Sequence, residues 1–231
     1  MIVWSKSASF RHCRASPVTK HTPRARLVRN SRPFRRAEEI VDAAARVFAG
    51  RGYHGASTQD IADVLGMRQA SLYYYFPSKE AALELVCARG VEGHAEAAEA
   101  IVAGRDPPLG KLAKLIAAHL APNATKRDYV KVFINERRYL PTASRRRIGR
   151  VSRRIERNFE RVIQAGIADG SMRGDIDPHL AMLSVLGLCN AAINWRRADQ
   201  AMAVDSIAAQ FATLLADGLA TNCKRRPRKG L

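Results

Sequence analysis

Aromatic side chains are scarce in this 231-residue chain, at 6% within a hydrophobic content of 47%. Sheets favour aromatic and β-branched side chains, and alanine supplies much of the apolar share here, so an all-α protein is expected. Acid is short as well: 21 Asp and Glu face 39 Lys and Arg, a formal net charge of +18. No apolar run reaches the ~20 residues that span a bilayer. The longest, "LAMLSVLGLCNAAINW", is interrupted by Ser184 and Asn190, so no membrane segment is expected. Four cysteines, Cys13, Cys87, Cys189 and Cys223, form no C-x-x-C pair and no metal spacing. That argues against a disulfide framework and for a reducing cytoplasm. The first twenty residues lack the apolar core of a secretory signal, although their Arg and Ser content loosely mimics an organelle transit peptide. Six scattered histidines, with no H-E-x-x-H, G-x-S-x-G, P-loop or usefully spaced carboxylate pair, give no ground for an enzyme, a metal or a cofactor.

The positive charge is concentrated at the ends. Residues 1–36 hold ten basic residues and no acid, and the terminal "KRRPRKGL" holds five, which leaves +3 for everything between. Such arms attract polyphosphate without regard to sequence. The chain therefore divides into a basic arm without fixed structure (1–36), a small helical domain (37–82), a larger helical domain (83–221) and a basic tail (222–231).

Within the small domain, "RAEEIVDAAARVFAGRG" spaces Ile40, Ala44, Val47 and Phe48 at helical period, with Gly50 or Gly52 to end the helix. Ser57 stands three residues before Asp60, a capping-box pattern opening a second short helix. Gly66 suits a tight turn, and a third helix of about eight residues runs to Phe76, stopped by Pro77. Ser78 caps a fourth, long helix through "KEAALELVCARGVEGHAEAAEAIVAG". Further amphipathic stripes follow, among them Ile148, Val151, Ile155, Phe159 and Val162, and Asp177-Pro178 opens another helix.

Two short helices joined by a glycine turn form a helix-turn-helix, whose second helix fits a groove of DNA. At 100° per residue, Leu72 and Phe76 share the inward face, Tyr74 points directly away, and Tyr73 and Tyr75 project to either side. An exposed tyrosine beside Arg68, Gln69 and Ser71 makes a surface able to bond phosphates and reach base edges.

Residues Ile40 to Val86, "IVDAAARVFAGRGYHGASTQDIADVLGMRQASLYYYFPSKEAALELV", closely resemble the tetracycline-repressor (TetR) family of transcriptional regulators. The glycine-aromatic connection, S-T-x-x-I-A, L-G-M, S-L-Y-x-Y-F and S-K-E occur in the family's order and spacing. The resemblance implies that Thr58 and Gln59 approach the DNA backbone and a base. It further implies that Arg68, Gln69, Ala70, Ser71 and Tyr74 form the reading surface, that Tyr73 and Tyr75 lie on phosphate or groove wall, and that Lys79 clamps a phosphate.

The same resemblance implies a homodimer on a near-palindromic operator. The last two helices would pack on their symmetry mates through Ala181, Ser184, Leu188, Ala191, Trp195, Phe211 and Leu215. The intervening helices would enclose a small-molecule effector whose binding releases the repressor. Between 128 and 195 the chain loosely resembles regulators of fatty-acid or steroid degradation that respond to acyl-CoA thioesters. On that view Arg146, Arg150, Arg153, Arg154, Arg157 and Arg161 are candidates to hold CoA phosphates. The plainer reading is a solvated stripe paired with Glu156 and Glu160. The rival to a specific regulator is an architectural protein that binds any duplex through its arms, which would not need the large apolar domain.

Overall fold

The structure is a computed structural model that describes residues 32–195 and 204–221, so residues 1–31 of the expected arm and the tail 222–231 lie outside the described residues, while 32–36, expected to lack fixed structure, begin the first helix. The described residues form eleven α-helices, a 3-10 turn and one isolated antiparallel bridge between Met172 and Ala220. Helix α1 (Arg32–Gly55) buries Ile40, Ala44 and Phe48 and changes direction at Gly52, whose φ of 71° is a left-handed geometry that glycine adopts without penalty. Helices α2 (Thr58–Val64) and α3 (Gln69–Leu72) complete the head.

The expected long fourth helix is two. α4 (Lys79–Val91) ends at Glu92, which is extended, and Gly93 takes φ 81° before α5 (His94–Ala103) sets off afresh. Continuous apolar periodicity hides such a break, because Gly90 and Gly93 look alike in sequence. Gly90 is helical and Gly93 is not. The remaining helices are α6 (Pro108–Leu120), α7 (Pro122–Thr125), α8 (Arg127–Glu136), the 3-10 turn Arg137–Tyr139, α9 (Thr142–Ala168), α10 (Pro178–Trp195) and α11 (Val204–Leu219). Asp177 caps α10 through its Oδ1, which accepts from Leu180 N–H at 2.8 Å.

Two apolar cores result. The first joins α1, α2 and α3 to α4 and takes in Val132, Leu140 and Ile148, so it crosses the expected boundary at residue 82. The second packs α5, α6, α9, α10 and α11 around Leu112, Ile116, Phe159, Ile163 and Met182. Gly90 lets α4 and α8 approach closely: a Cβ there would stand 2.7 Å from the Tyr129 carbonyl oxygen and 3.0 Å from Phe133 Cβ. A cavity lies along this seam between the two cores.

Candidate DNA-reading surface and effector cavity

The head assembles as its local chemistry requires. Ser57 Oγ accepts from Asp60 N–H at 3.1 Å while Asp60 Oδ2 accepts from Ser57 N–H at 2.7 Å, a complete capping box. The Ser57 hydroxyl, which also donates to Asp60 Oδ2 at 2.7 Å, and then the Ser57 N–H, with help from Arg51, hold the Asp60 carboxyl below its usual range. Gly66 makes the turn with φ 60°, and Ile61, Leu72 and Phe76 are buried. α3 is four residues rather than about eight, since Pro77 disfavours helical geometry at Phe76. Hydrogen bonds from Tyr75 N–H (2.9 Å) and Phe76 N–H (3.3 Å) to the Leu72 carbonyl nevertheless carry the winding on. The faces therefore fall as the spacing requires: Tyr74 is 88% exposed and Leu72 is 0%.

Around Tyr74 the other residues divide into free and tethered. Arg68, Ala70, Ser71 and Tyr73 are exposed. Gln69 Nε2 donates to Thr58 Oγ1 at 2.6 Å, and the Tyr73 hydroxyl lies 3.5 Å from the same oxygen, so Thr58 ties α2 to α3. Gln59 Nε2 donates to Asp63 Oδ1 at 2.6 Å. Tyr75 is half-buried against the first core, edge-on to Tyr74, instead of projecting freely. The Lys79 ammonium sits 4.4 Å from the centre of the Tyr53 ring.

Tyr53 joins the head to the rest of the molecule, and nothing in the sequence marked it for this. Its ring stacks on Tyr139 at 5.5 Å, its hydroxyl donates to Glu80 Oε1 at 2.6 Å, and its backbone N–H donates to Glu136 Oε2 at 3.0 Å. Burial, and then the Glu80 carboxylate, push the Tyr53 hydroxyl up to about 12, while the same hydrogen bond draws the Glu80 carboxyl down. These three partners of Tyr53 are 27 to 86 residues away in the chain, which is why periodicity could not find them.

Glu136 is followed directly by Arg137, which lines a cavity of about 230 Å³ between α4, α5, α6, α8, α9 and α10. Val91, Val130, Phe133, Ile134, Ile155 and Leu186 give it apolar walls. Phe133, Arg137, Ser152 and Glu156 also line an adjoining groove of about 520 Å³, which adds Arg138, Arg145 and Arg153. Arg137 lies over the Phe133 ring and Arg138 over Tyr139, and among the described residues none of these four arginines is ion-paired with a carboxylate. A compartment with largely apolar walls thus adjoins a cationic one.

The expected arginine stripe is elsewhere. Arg146, Arg150, Arg154, Arg157 and Arg161 lie roughly opposite Ser152 and Glu156 on α9, at 100° per residue. The stripe's expected partners are also different. Arg154 grips Glu99 with two nitrogens at 2.8 and 2.9 Å and reaches Glu96 at 3.0 Å, both on α5, rather than pairing with Glu156 or Glu160. It fastens α9 to α5. Only Arg153, beside the stripe, reaches the groove.

On α10 and α11, Ser184 is exposed; Ala181, Leu188, Ala191, Phe211 and Leu215 are half-buried; the Trp195 side chain lies outside the described residues. Leu180, Leu183 and Leu214 were not anticipated and are exposed, Leu214 by 65%. Among the described residues no helix is long and apolar enough to cross a membrane.

A three-helix head presenting an exposed reading turn, set on a helical domain with its own cavity, defines a one-component DNA-binding regulator. Comparisons with known proteins agree. Residues 40–86 match the family described as bacterial regulatory proteins, tetR family, and residues 105–219 match the tetracyclin repressor-like C-terminal domain. The chain belongs to the TetR family and is a transcriptional regulator of that repressor type. It is 28% identical to the HTH-type transcriptional repressor KstR2 of Rhodococcus jostii, over 80% of this chain and 92% of that protein. It is 24% identical to the fatty acid metabolism regulator protein of Bacillus subtilis, over 78% and 94%. Among solved structures, the TetR family regulator PfmR of Thermus thermophilus superposes with a TM-score of 0.70 at 28% identity, covering 77% of this chain and 96% of that one.

Proposed function

We propose that this protein is a homodimeric repressor that reads a near-palindromic operator through Tyr74 and its neighbours, and leaves it on binding an acyl-CoA thioester. The observation that carries the effector reading is the wall shared by the apolar cavity and the arginine groove. A cavity of about 230 Å³ is below the usual span of ~300–1,000 Å³ for a drug-sized ligand, so it suits an acyl group alone. The charged remainder then lies along Arg138, Arg145 and Arg153, whose guanidinium groups match phosphate geometry. The name of the B. subtilis relative is in keeping with this chemistry. The exposed leucines Leu180, Leu183 and Leu214 supply an apolar face for α10 and α11 to share with a second copy.

Release follows if the ligand prefers a different placement of the 3-10 turn from the one that fits operator-bound heads. Arg137 touches the ligand compartment, and Glu136 and Tyr139 on either side hold Tyr53 of the head. The test is release of labelled operator by octanoyl-CoA, CoA or octanoate. Octanoyl-CoA alone releases it at micromolar concentration. The double variant Arg145→Ala/Arg153→Ala needs at least about tenfold more, from the loss of charge-assisted bonds of ~1.5–3 kcal/mol each, while binding operator normally. Equal release by octanoate, or an unchanged response in the double variant, contradicts the reading.

A further inference from the structure

The apolar cavity has one polar corner that the acyl-CoA reading leaves unused. His94 at the start of α5, His119 on α6 and Asn190 on α10 all line the cavity, and none of them lines the arginine groove. His119 Nε2 and Asn190 Oδ1 are 3.1 Å apart, and the His94 and His119 rings pack with centroids 6.1 Å apart. His119 also stands edge-on to Phe159.

The hydrogen bonds left over can be counted. Both histidines are pushed below their ordinary range, His94 to about 4, with burial the leading cause in each. They are therefore neutral at physiological pH. A neutral His119 whose Nε2–H donates to Asn190 Oδ1 keeps Nδ1 as an acceptor, and Asn190 keeps both N–H groups of Nδ2. His94, one donor and one acceptor, makes no hydrogen bond within the described residues. Three half-buried polar groups thus face the cavity with hydrogen-bonding capacity that no atom of the described residues meets, while its other polar lining residues, Arg137, Ser152 and Glu156, lie on the wall shared with the groove. Water is one filler. A ligand oxygen is a better one where the surrounding walls are shaped for hydrocarbon.

We propose that His94, His119 and Asn190 select an effector whose acyl group carries an uncharged oxygen function, a ketone or hydroxyl, away from the thioester. A ketone oxygen accepts from Asn190 Nδ2 and from the His94 ring N–H, and a hydroxyl can also donate to His119 Nδ1. A carboxylate is disfavoured, because among the described residues the only cation lining the cavity is Arg137, on the wall shared with the groove and beside the Glu156 carboxylate. Since sites built to bond a polar group reject ligands that lack it, a plain alkyl thioester offers nothing to the His94 ring, to His119 Nδ1 or to Asn190 Nδ2. This inference rests on the acyl-CoA reading and sharpens it.

The experiment titrates the full-length dimer on its selected operator with octanoyl-CoA and with the set of oxo-octanoyl-CoA isomers. At least one oxo isomer is expected to release operator at roughly 10- to 100-fold lower concentration than octanoyl-CoA, the yield of one or two buried hydrogen bonds. Asn190→Leu should bring the ratio of octanoyl-CoA to oxo-octanoyl-CoA release concentrations toward one, and its operator affinity without effector shows that it folds. If octanoyl-CoA matches every oxo isomer on the wild-type protein, the polar corner is not a selectivity element and the inference is overturned, with the acyl-CoA reading intact. If no thioester acts, both fall.

Discussion

Removing the Glu136 carboxylate tests whether the head is held to the effector domain where the structure joins them. Glu136 Oε2 accepts from the backbone N–H of Tyr53 at 3.0 Å, at the residue after the α1 break. A hydrogen bond to a charged group is worth ~1.5–3 kcal/mol, and partial solvent access places this one near the lower end, about 1.5–2 kcal/mol. Glu136→Ala loses all of it; Glu136→Gln keeps an acceptor, loses the charge and should cost about half as much. Urea unfolding at fixed dimer concentration measures the loss as a shift in midpoint at constant slope. The same variants report on coupling. If Glu136 and Tyr139 carry the effector signal, the ratio of operator affinities without and with octanoyl-CoA falls toward one in Glu136→Ala, from the 5- to 150-fold typical of ~1–3 kcal/mol couplings. Wild-type stability together with a wild-type effector response in Glu136→Ala would refute the reasoning.

Three other predictions follow from the packing and the buried histidines. Gly90→Ala drives a methyl against the Tyr129 carbonyl, which is backbone and cannot rotate away, so a loss of ~1–3 kcal/mol is expected in the same unfolding assay. Gly166→Ala would place its methyl 2.7 Å from the buried Met172 Cγ and Sδ, a side chain that can shift where the backbone at Gly90 cannot, and should cost less. The depressed His94 gives an acid-sensitive limb. The unfolded chain takes up its proton near 6.5 and the folded one near 4, so stability present above pH 6.5 falls as the pH drops toward 4. His94→Gln should flatten that limb in thermal unfolding scanned from pH 7 to 4.

The head was legible in the sequence because its determinants are local. Ser57 and Asp60 cap within one turn, Gly66 supplies the reversal, and the four-residue spacing of Leu72 and Phe76 fixes where Tyr74 must point. Tyr75 was harder, since whether a flanking tyrosine lies on the surface depends on the core beneath it. The break at Gly93 and the close approach at Gly90 differ only in tertiary surroundings, so two nearby glycines read the same. The arginines of α9 were visible as a stripe, but the partners of Arg154, Glu96 and Glu99, come from 58 and 55 residues earlier. A cavity was expected only through the family resemblance, and its lining was not legible in the chain. Its walls come from six helices, and neither the His119–Asn190 contact nor the Tyr53–Glu136 bond leaves a pattern in the chain.

The most direct measurement is selection of the purified protein against a random duplex library at roughly 150 mM salt, where exposed charges are screened beyond ~8 Å. The wild-type protein and Tyr74→Ala are run side by side, with thermal unfolding of each. Tyr74 is 88% exposed, so its loss should leave the melting unchanged. The account predicts a near-palindromic motif for the wild type, with half-sites about one DNA turn or more apart, that is lost or relaxed in the variant. No enriched motif, or one that Tyr74→Ala leaves intact, would contradict it.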